Sequence, residues 1–165
     1  MEELLGFALG LGAVAILLFG LIGIAIYIFQ SLVLMNYVKE QDGEYAWMAW
    51  LPFVDMYTYA GATYKGQDSA VSDLFKEPLP VWLYQWQTLV YTFGPLILSI
   101  IPVLIPISGL AVLFARFVLF GQVYKDSMRR YGVEITTPEQ ILITIIPLVA
   151  YFRLFGAMRN GTTVI

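Results

Sequence analysis

The sequence predicts an all-α polytopic membrane bundle: four transmembrane helices plus an amphipathic or re-entrant interfacial element between the first two. Three observations predict it. Hydrophobic residues make up 59% of the 165 residues and charged residues 13%, against about 45–50% and about 25% in soluble domains. Mean hydropathy is +0.76. The apolar residues are gathered in long charge-free runs, and in lipid only helices and closed barrels satisfy the backbone; these runs are too long for barrel strands. The same composition argues against a soluble globular domain and against disorder, which needs low hydrophobicity and high charge. No linker or internal repeat divides the chain, so residues 1–165 read as one integral membrane domain.

The first span is the run from Leu4 to Met35, 32 residues without a charge. About 20 residues cross the hydrocarbon core, so this helix would project ~15 Å beyond it. The acidic start, Met1-Glu2-Glu3, and the length of the run are unlike a cleaved signal peptide and predict a retained helix. The aromatic stretch at 45–64 follows the polar strip Lys39–Glu44. Trp47, Trp50 and Tyr57 in it suit the membrane–water interface, where the ring is half buried and its polar atom stays wet. Residues 65–78 read as a polar, flexible loop. The second span is 80–101, with Pro80 in its first turn and a kink expected at Gly94-Pro95. A tight turn from Pro102 to Gly109 leads to the third span, 109–124, interrupted by Arg116. Thr137-Pro138-Glu139-Gln140 reads as a helix start, with threonine as cap, and the fourth span runs 141–158 with Pro147 inside it.

Short cytoplasmic loops are enriched in Lys and Arg. Lys39, Lys65, Lys76, Lys125, Arg129 and Arg130 would share one side, with Arg159 on the other. That places both termini outside a cytoplasmic (inner) cell membrane. A fifth span at 45–64 would move five of the cations outside and is disfavoured.

Much chemistry is excluded at once. The chain has no cysteine and no histidine, hence no disulfide, no thiolate nucleophile, none of the usual zinc or haem sites and no Ser-His-Asp triad. HExxH, GxSxG and P-loop motifs are absent. Neither enzyme activity, cofactor nor metal is expected. Nine basic residues against twelve acidic ones, with no basic stripe, argue against nucleic acid.

What remains is a set of polar residues in apolar surroundings. Arg116 lies near the middle of a span, where a charge costs at least about 2.5–3.5 kcal/mol and usually faces the bundle interior or water. It reads as part of a pathway or as an arginine satisfied by backbone carbonyls. Arg153 is expected to snorkel to the interface. Asp55 pairs with a base, caps a broken helix or binds a cation; the plainer reading is a solvated interfacial carboxylate. Gln30, Ser31, Asn36, Gln85, Gln87 and Gln122 all fall in the cytoplasmic half and are expected to face each other or a cavity. Gly6, Gly10 and Gly12 form small-residue spacing that suits self-association or packing within the chain.

The stretch Trp47-Met-Ala-Trp50-Leu-Pro52-Phe53-Val-Asp55-Met-Tyr57 resembles the W-x-x-x-x-P-[FY]-x-N-x-Y segment of small, functionally uncharacterised multi-pass membrane proteins of bacteria, with Asp55 where they often carry asparagine. The stretch from Pro147 to Asn160 resembles their helix ends. The two cover about a fifth of the chain. The resemblance implies a bacterial cell membrane and no activity. The functional expectation is a self-associating channel or small transport protein; the alternative is a non-conducting accessory, scaffold or immunity-type subunit. The expected partners are the lipid bilayer, further copies of the chain and a membrane protein partner.

Overall fold

The computed structural model describes residues 2–100 and 105–161, with side chains at 10, 12–100 and 107–161. The fold is predominantly helical. The elements are α1 (Glu2–Glu40), a 3-10 turn (Ala46–Trp50), α2 (Asp55–Thr63), β1 (Ser69–Val71), β2 (Pro78–Pro80), α3 (Val81–Gln85), α4 (Gln87–Ser99), α5 (Ile105–Arg129), α6 (Thr137–Ile145) and α7 (Pro147–Asn160).

The packed core sits at one end of the molecule, here called the base. It joins the C-terminal part of α1 (Val33, Leu34, Tyr37, Val38) to α2, to the C-terminal half of α5, and to Ile143, Ala150, Tyr151 and Leu154 of α6 and α7. Three apolar extensions rise from the base. The first is α1 itself, whose Ile16 and Phe19 are 74% and 73% exposed. No residue of its most apolar stretch is buried, whereas 39% of that of α5 is. The second is the α4–α5 hairpin, with Ile97, Ile100 and Leu110 exposed at and near its tip. The third is the α6–α7 pair, bent by 118°. In water such surface would collapse or aggregate; it suits hydrocarbon. Among the described residues two helices, α1 and α5, are long and apolar enough to cross a membrane, or three candidate spans if the bent pair counts as one.

Several expectations are corrected. Residues 80–101 are not one helix: the chain breaks at Trp86 (φ −91°, ψ 15°) into α3 and α4. At 1.5 Å per residue, the 13 residues of α4 reach only ~20 Å, short of a ~30 Å core. Pro95 lies inside α4, away from that break. Of the expected 102–109 turn, residues 102–104 lie outside the described residues, and from Ile105 the chain is already helical. The third span extends to 105–129 as α5. The fourth is broken at Ile146 (φ −124°, ψ 80°), because the residue before a proline avoids helical angles and Pro147 then starts a new helix. A Cβ on Gly161 would lie 3.1 Å from the Tyr131 ring, and Tyr131 donates a hydrogen bond to Glu40 at 2.8 Å. The end of α7 therefore lies at the same end of the molecule as the end of α1. Residues 65–78 are not simply loop: β1 and β2 pair antiparallel, Ala70 opposite Leu79. Thr136, not Thr137, occupies the cap position of α6 and makes no side-chain capping bond.

The aromatic element is also placed differently. Only its first half is superficial, with Trp47 58% exposed. Helix α2 is core: Met56, Tyr59, Ala60 and Ala62 are buried. Arg130 ties this region together, donating to the Gln41 side chain at 2.6 Å and to the Thr63 carbonyl.

Helices α5 and α6 approach closely at Gly121. A Cβ there would stand 2.8 Å from Nε2 and 3.0 Å from Cγ of Gln140, a buried side chain whose Nε2 donates to the Phe117 carbonyl at 3.2 Å. Gly121→Ala is expected to destabilise the fold by about 1–3 kcal/mol, read as a lowered Tm in detergent. Gly156→Ala in α7, whose Cβ would meet nothing within 4 Å among the described residues, is expected to be neutral or stabilising by up to ~1 kcal/mol.

Candidate functional site

The sequence brings two opposite charges to one place. Asp55 opens α2 directly after the Pro52 turn, and α2 packs against α1, which puts the carboxylate beside Gln30. Arg116 lies on α5 where that helix leaves the base and enters the apolar hairpin. The two residues line one open cavity of about 360 Å³ between α1, α2, α4, α5 and α7. Gln30, Thr88, Tyr91 and Tyr151 supply its other polar groups; Ile26, Met56, Phe120, Pro147 and Leu148 supply its apolar wall.

The acidic side is organised. Gln30 Nε2 donates to Asp55 Oδ2 at 2.9 Å and the Met56 amide donates to Oδ1 at 2.9 Å. The Thr58 hydroxyl donates to the Asp55 carbonyl at 2.9 Å. Asp55 is 9% exposed, so the solvated interfacial reading is corrected. Burial pushes its carboxyl above the usual carboxylate range, and the two hydrogen bonds offset only part of that shift. The basic side is open. Arg116 is half-buried, and among the described residues it makes no ion pair. Tyr91, one turn beyond Gln87 on α4, donates to the Gln87 side-chain Oε1 at 2.5 Å and accepts the Phe120 amide at 3.2 Å. An acid and a base held on different walls without a mutual ion pair leave both able to engage a polar guest.

The other predicted residues are dispersed. Gln85 lies across from Gly61 in a separate cleft at the base, which Tyr57 also lines. Gln122 accepts the Asp73 amide at 3.1 Å and donates to Asp126 at 3.0 Å. The amides do not face one another in one cluster: Gln30, Gln85 and Gln122 line three separate cavities. Ser31 and Gln87 are buried, and Asn36 is exposed. Arg153 pairs with Glu139 across the α6–α7 bend instead of snorkelling alone. The Tyr57 ring lies 5.1 Å from Trp86, and the Trp50 carbonyl accepts the Tyr27 hydroxyl. Gly6 falls where side-chain surroundings lie outside the described residues. Among the described residues, no atom outside the backbone of α1 lies within 4 Å of a Cβ added at Gly10 or Gly12.

Sequence reasoning missed Tyr91, Thr88 and Tyr151. The available signal was the hydroxyls themselves, set in apolar runs where a buried donor needs a partner. Among the described residues no group of three or more carboxylates is assembled to hold a metal. No protein-family model, curated protein or solved structure matches the chain.

Proposed function

We propose that the protein is a small integral membrane transport protein that self-associates and admits a small polar or charged solute to the cavity between Arg116 and Asp55. One observation carries the reading: residues far apart in sequence, Gln30, Asp55 and Arg116, converge on a single cavity beside segments apolar enough for lipid. Holding an arginine at such depth is costly, and a guest or permeating ion gives it a use.

In this reading α1 crosses the bilayer, the α4–α5 hairpin enters and returns, and α6–α7 dips in and turns back at Pro147. Of the four-span scheme, only the crossing by α1 then remains. The N-terminal end of α1 and the end of α7 lie on opposite sides, which replaces the expectation of two external termini. Seven of the nine Lys and Arg residues, all but Arg116 and Arg153, then gather on the base side, in accord with a cytoplasmic base.

Purified protein in nanodiscs, sized for mass and then tested for ion flux from liposomes, decides the matter. The expected result is a defined oligomer with flux that Arg116→Leu alters about tenfold or more, the effect of a barrier change of about 1.4 kcal/mol. Wild-type protein without flux would sink the reading. The bare flank of α1, with no residue of its most apolar stretch buried, favours a second reading as a non-conducting subunit. That reading expects a stoichiometric membrane protein partner whose retention needs α1.

A further inference from the structure

A second cavity, of about 380 Å³, lies on the other side of α5, where Lys76, Lys125 and Arg129 converge. It sits at the point where α5 changes character. Phe114, Phe117 and Val118 precede Gln122, Lys125, Asp126 and Arg129, so apolar and cationic surfaces adjoin within ~22 Å of helix. The loop between β1 and β2 forms the opposite wall. It is a tight turn, with the Lys76 amide donating to the Ser72 carbonyl at 2.8 Å and Lys76 at φ 58°. The turn presents two exposed apolar side chains, Leu74 and Phe75, and the Phe75 ring lies 6.4 Å from that of Phe114.

The charges do not cancel. Lys125 pairs with Asp73 at 2.5 Å, and Arg129 pairs with Asp126 at 3.0 Å and reaches Asp73 at 3.7 Å. Lys76 has no ion-pair partner among the described residues, so the three cations lining the cavity, against Asp73 and the neighbouring Asp126, leave one positive charge there; Glu77, next in the chain, is exposed and outside the lining. Burial raises the Asp73 carboxyl, but the hydrogen bond and charge of Lys125, with Arg129 and Lys76, outweigh it and hold Asp73 below the usual carboxylate range. Asp73 therefore stays ionised and fixes Lys125 in place. A basic pocket at a membrane boundary, continuous with exposed aromatics on its apolar side, matches a headgroup and the chain attached to it.

We propose that this pocket seats the phosphate of an anionic glycerophospholipid headgroup, with the first methylenes of an acyl chain lying along Phe75 and Phe114. The surplus charge of Lys76 selects an anionic headgroup over a zwitterionic one. The proposal does not depend on transport at the Arg116 cavity.

The test uses the full chain in dodecyl maltoside micelles doped with phosphatidylglycerol or phosphatidylcholine. Lipid retained after gel filtration is quantified by mass spectrometry. Wild-type protein is expected to retain phosphatidylglycerol at least about fivefold over phosphatidylcholine, and Lys76→Gln to lose roughly that fivefold preference while Lys76→Arg keeps it. Phe75→Ser is expected to lower phospholipid retention without lowering the preference, and millimolar inorganic phosphate is expected to leave retention unchanged. Circular dichroism confirms that each variant is folded. Equal retention of the two lipids, or a preference untouched by Lys76→Gln, overturns the proposal. So does displacement of the lipid by inorganic phosphate, which marks a free-phosphate site, and so does an acidic protein that holds the pocket against phosphatidylglycerol.

Discussion

Tyr37→Ala is expected to lower the unfolding free energy by about 3–5 kcal/mol, the range for removing a large buried aromatic. Tyr37 is fully buried where α1 enters the base. Its ring lies 5.1 Å from that of Tyr59 and 6.3 Å from that of Tyr131, and its hydroxyl is 3.1 Å from the Thr63 hydroxyl. Removing it opens a cavity between α1, α2 and the segment after α5, and the neighbouring rings are pinned against collapse. Tyr59 shares a 2.6 Å hydrogen bond with Ser127, and Tyr131 bonds Glu40. Tyr37→Phe separates packing from hydrogen bonding. Thr63 Oγ1 still donates to the Tyr59 carbonyl at 2.9 Å, so losing the phenol leaves no stranded donor, and the cost is expected near 1 kcal/mol. Denaturant titration of the micellar protein, followed by tryptophan fluorescence, compares the two. Equal losses for Ala and Phe would mean that the hydrogen bond, not the ring, holds α1 to the base.

That core of tyrosines explains which parts of the fold were legible in the sequence. The long charge-free runs were readable because lipid imposes a demand on composition alone: every backbone group must be satisfied within the segment. The ends and breaks depend on side-chain partners, which composition does not encode. Ile146-Pro147 carried a usable signal, since the residue before a proline resists helical angles. The break at Trp86 carried none, and Pro95, the more obvious breaker, stays inside α4. The aromatic stretch was misread for a related reason. Tyr59 and Tyr64 have the composition of an interface, but their hydroxyls find Ser127 and Asp126, and a tyrosine so satisfied packs as core. At the candidate site Arg116 and Asp55 stood out because each is a lone charge in an apolar run. Their meeting across one cavity was not readable, because it requires α2 to be folded inward against α1 and α5.

Asp55 is the position at which charge and fold oppose each other. Its carboxyl is above the usual carboxylate range because burial penalises the anion more than the Met56 and Gln30 hydrogen bonds reward it. For an acid raised in the folded state the sign is fixed. Well below the ordinary carboxyl value of 3.8 both folded and unfolded chains are protonated and no penalty exists. As pH rises from there through the raised value, the unfolded chain ionises first, and the folded state loses stability until both are ionised. Asp55→Asn removes that slope. Its amide oxygen still accepts the Met56 amide, and its NH2 faces the Gln30 amide, which turns its own oxygen to accept. Asparagine is therefore expected to match or exceed the wild type in stability at neutral pH. Asp55→Leu strands the Met56 donor and the Gln30 amide in a buried setting, at about 1–3 kcal/mol for each unsatisfied group. Unfolding curves of the three proteins between pH 4 and pH 8 separate these terms. A wild type whose stability, taken relative to Asp55→Asn, rises with pH across that window would mean that Asp55 is ionised at no cost, by a charge partner such as Arg116. In that case the cavity closes on itself as an ion pair, and the guest assigned to it has no vacancy. A falling curve, flattened by asparagine, leaves the arginine and the carboxylate separately available, which is the state a transported solute requires.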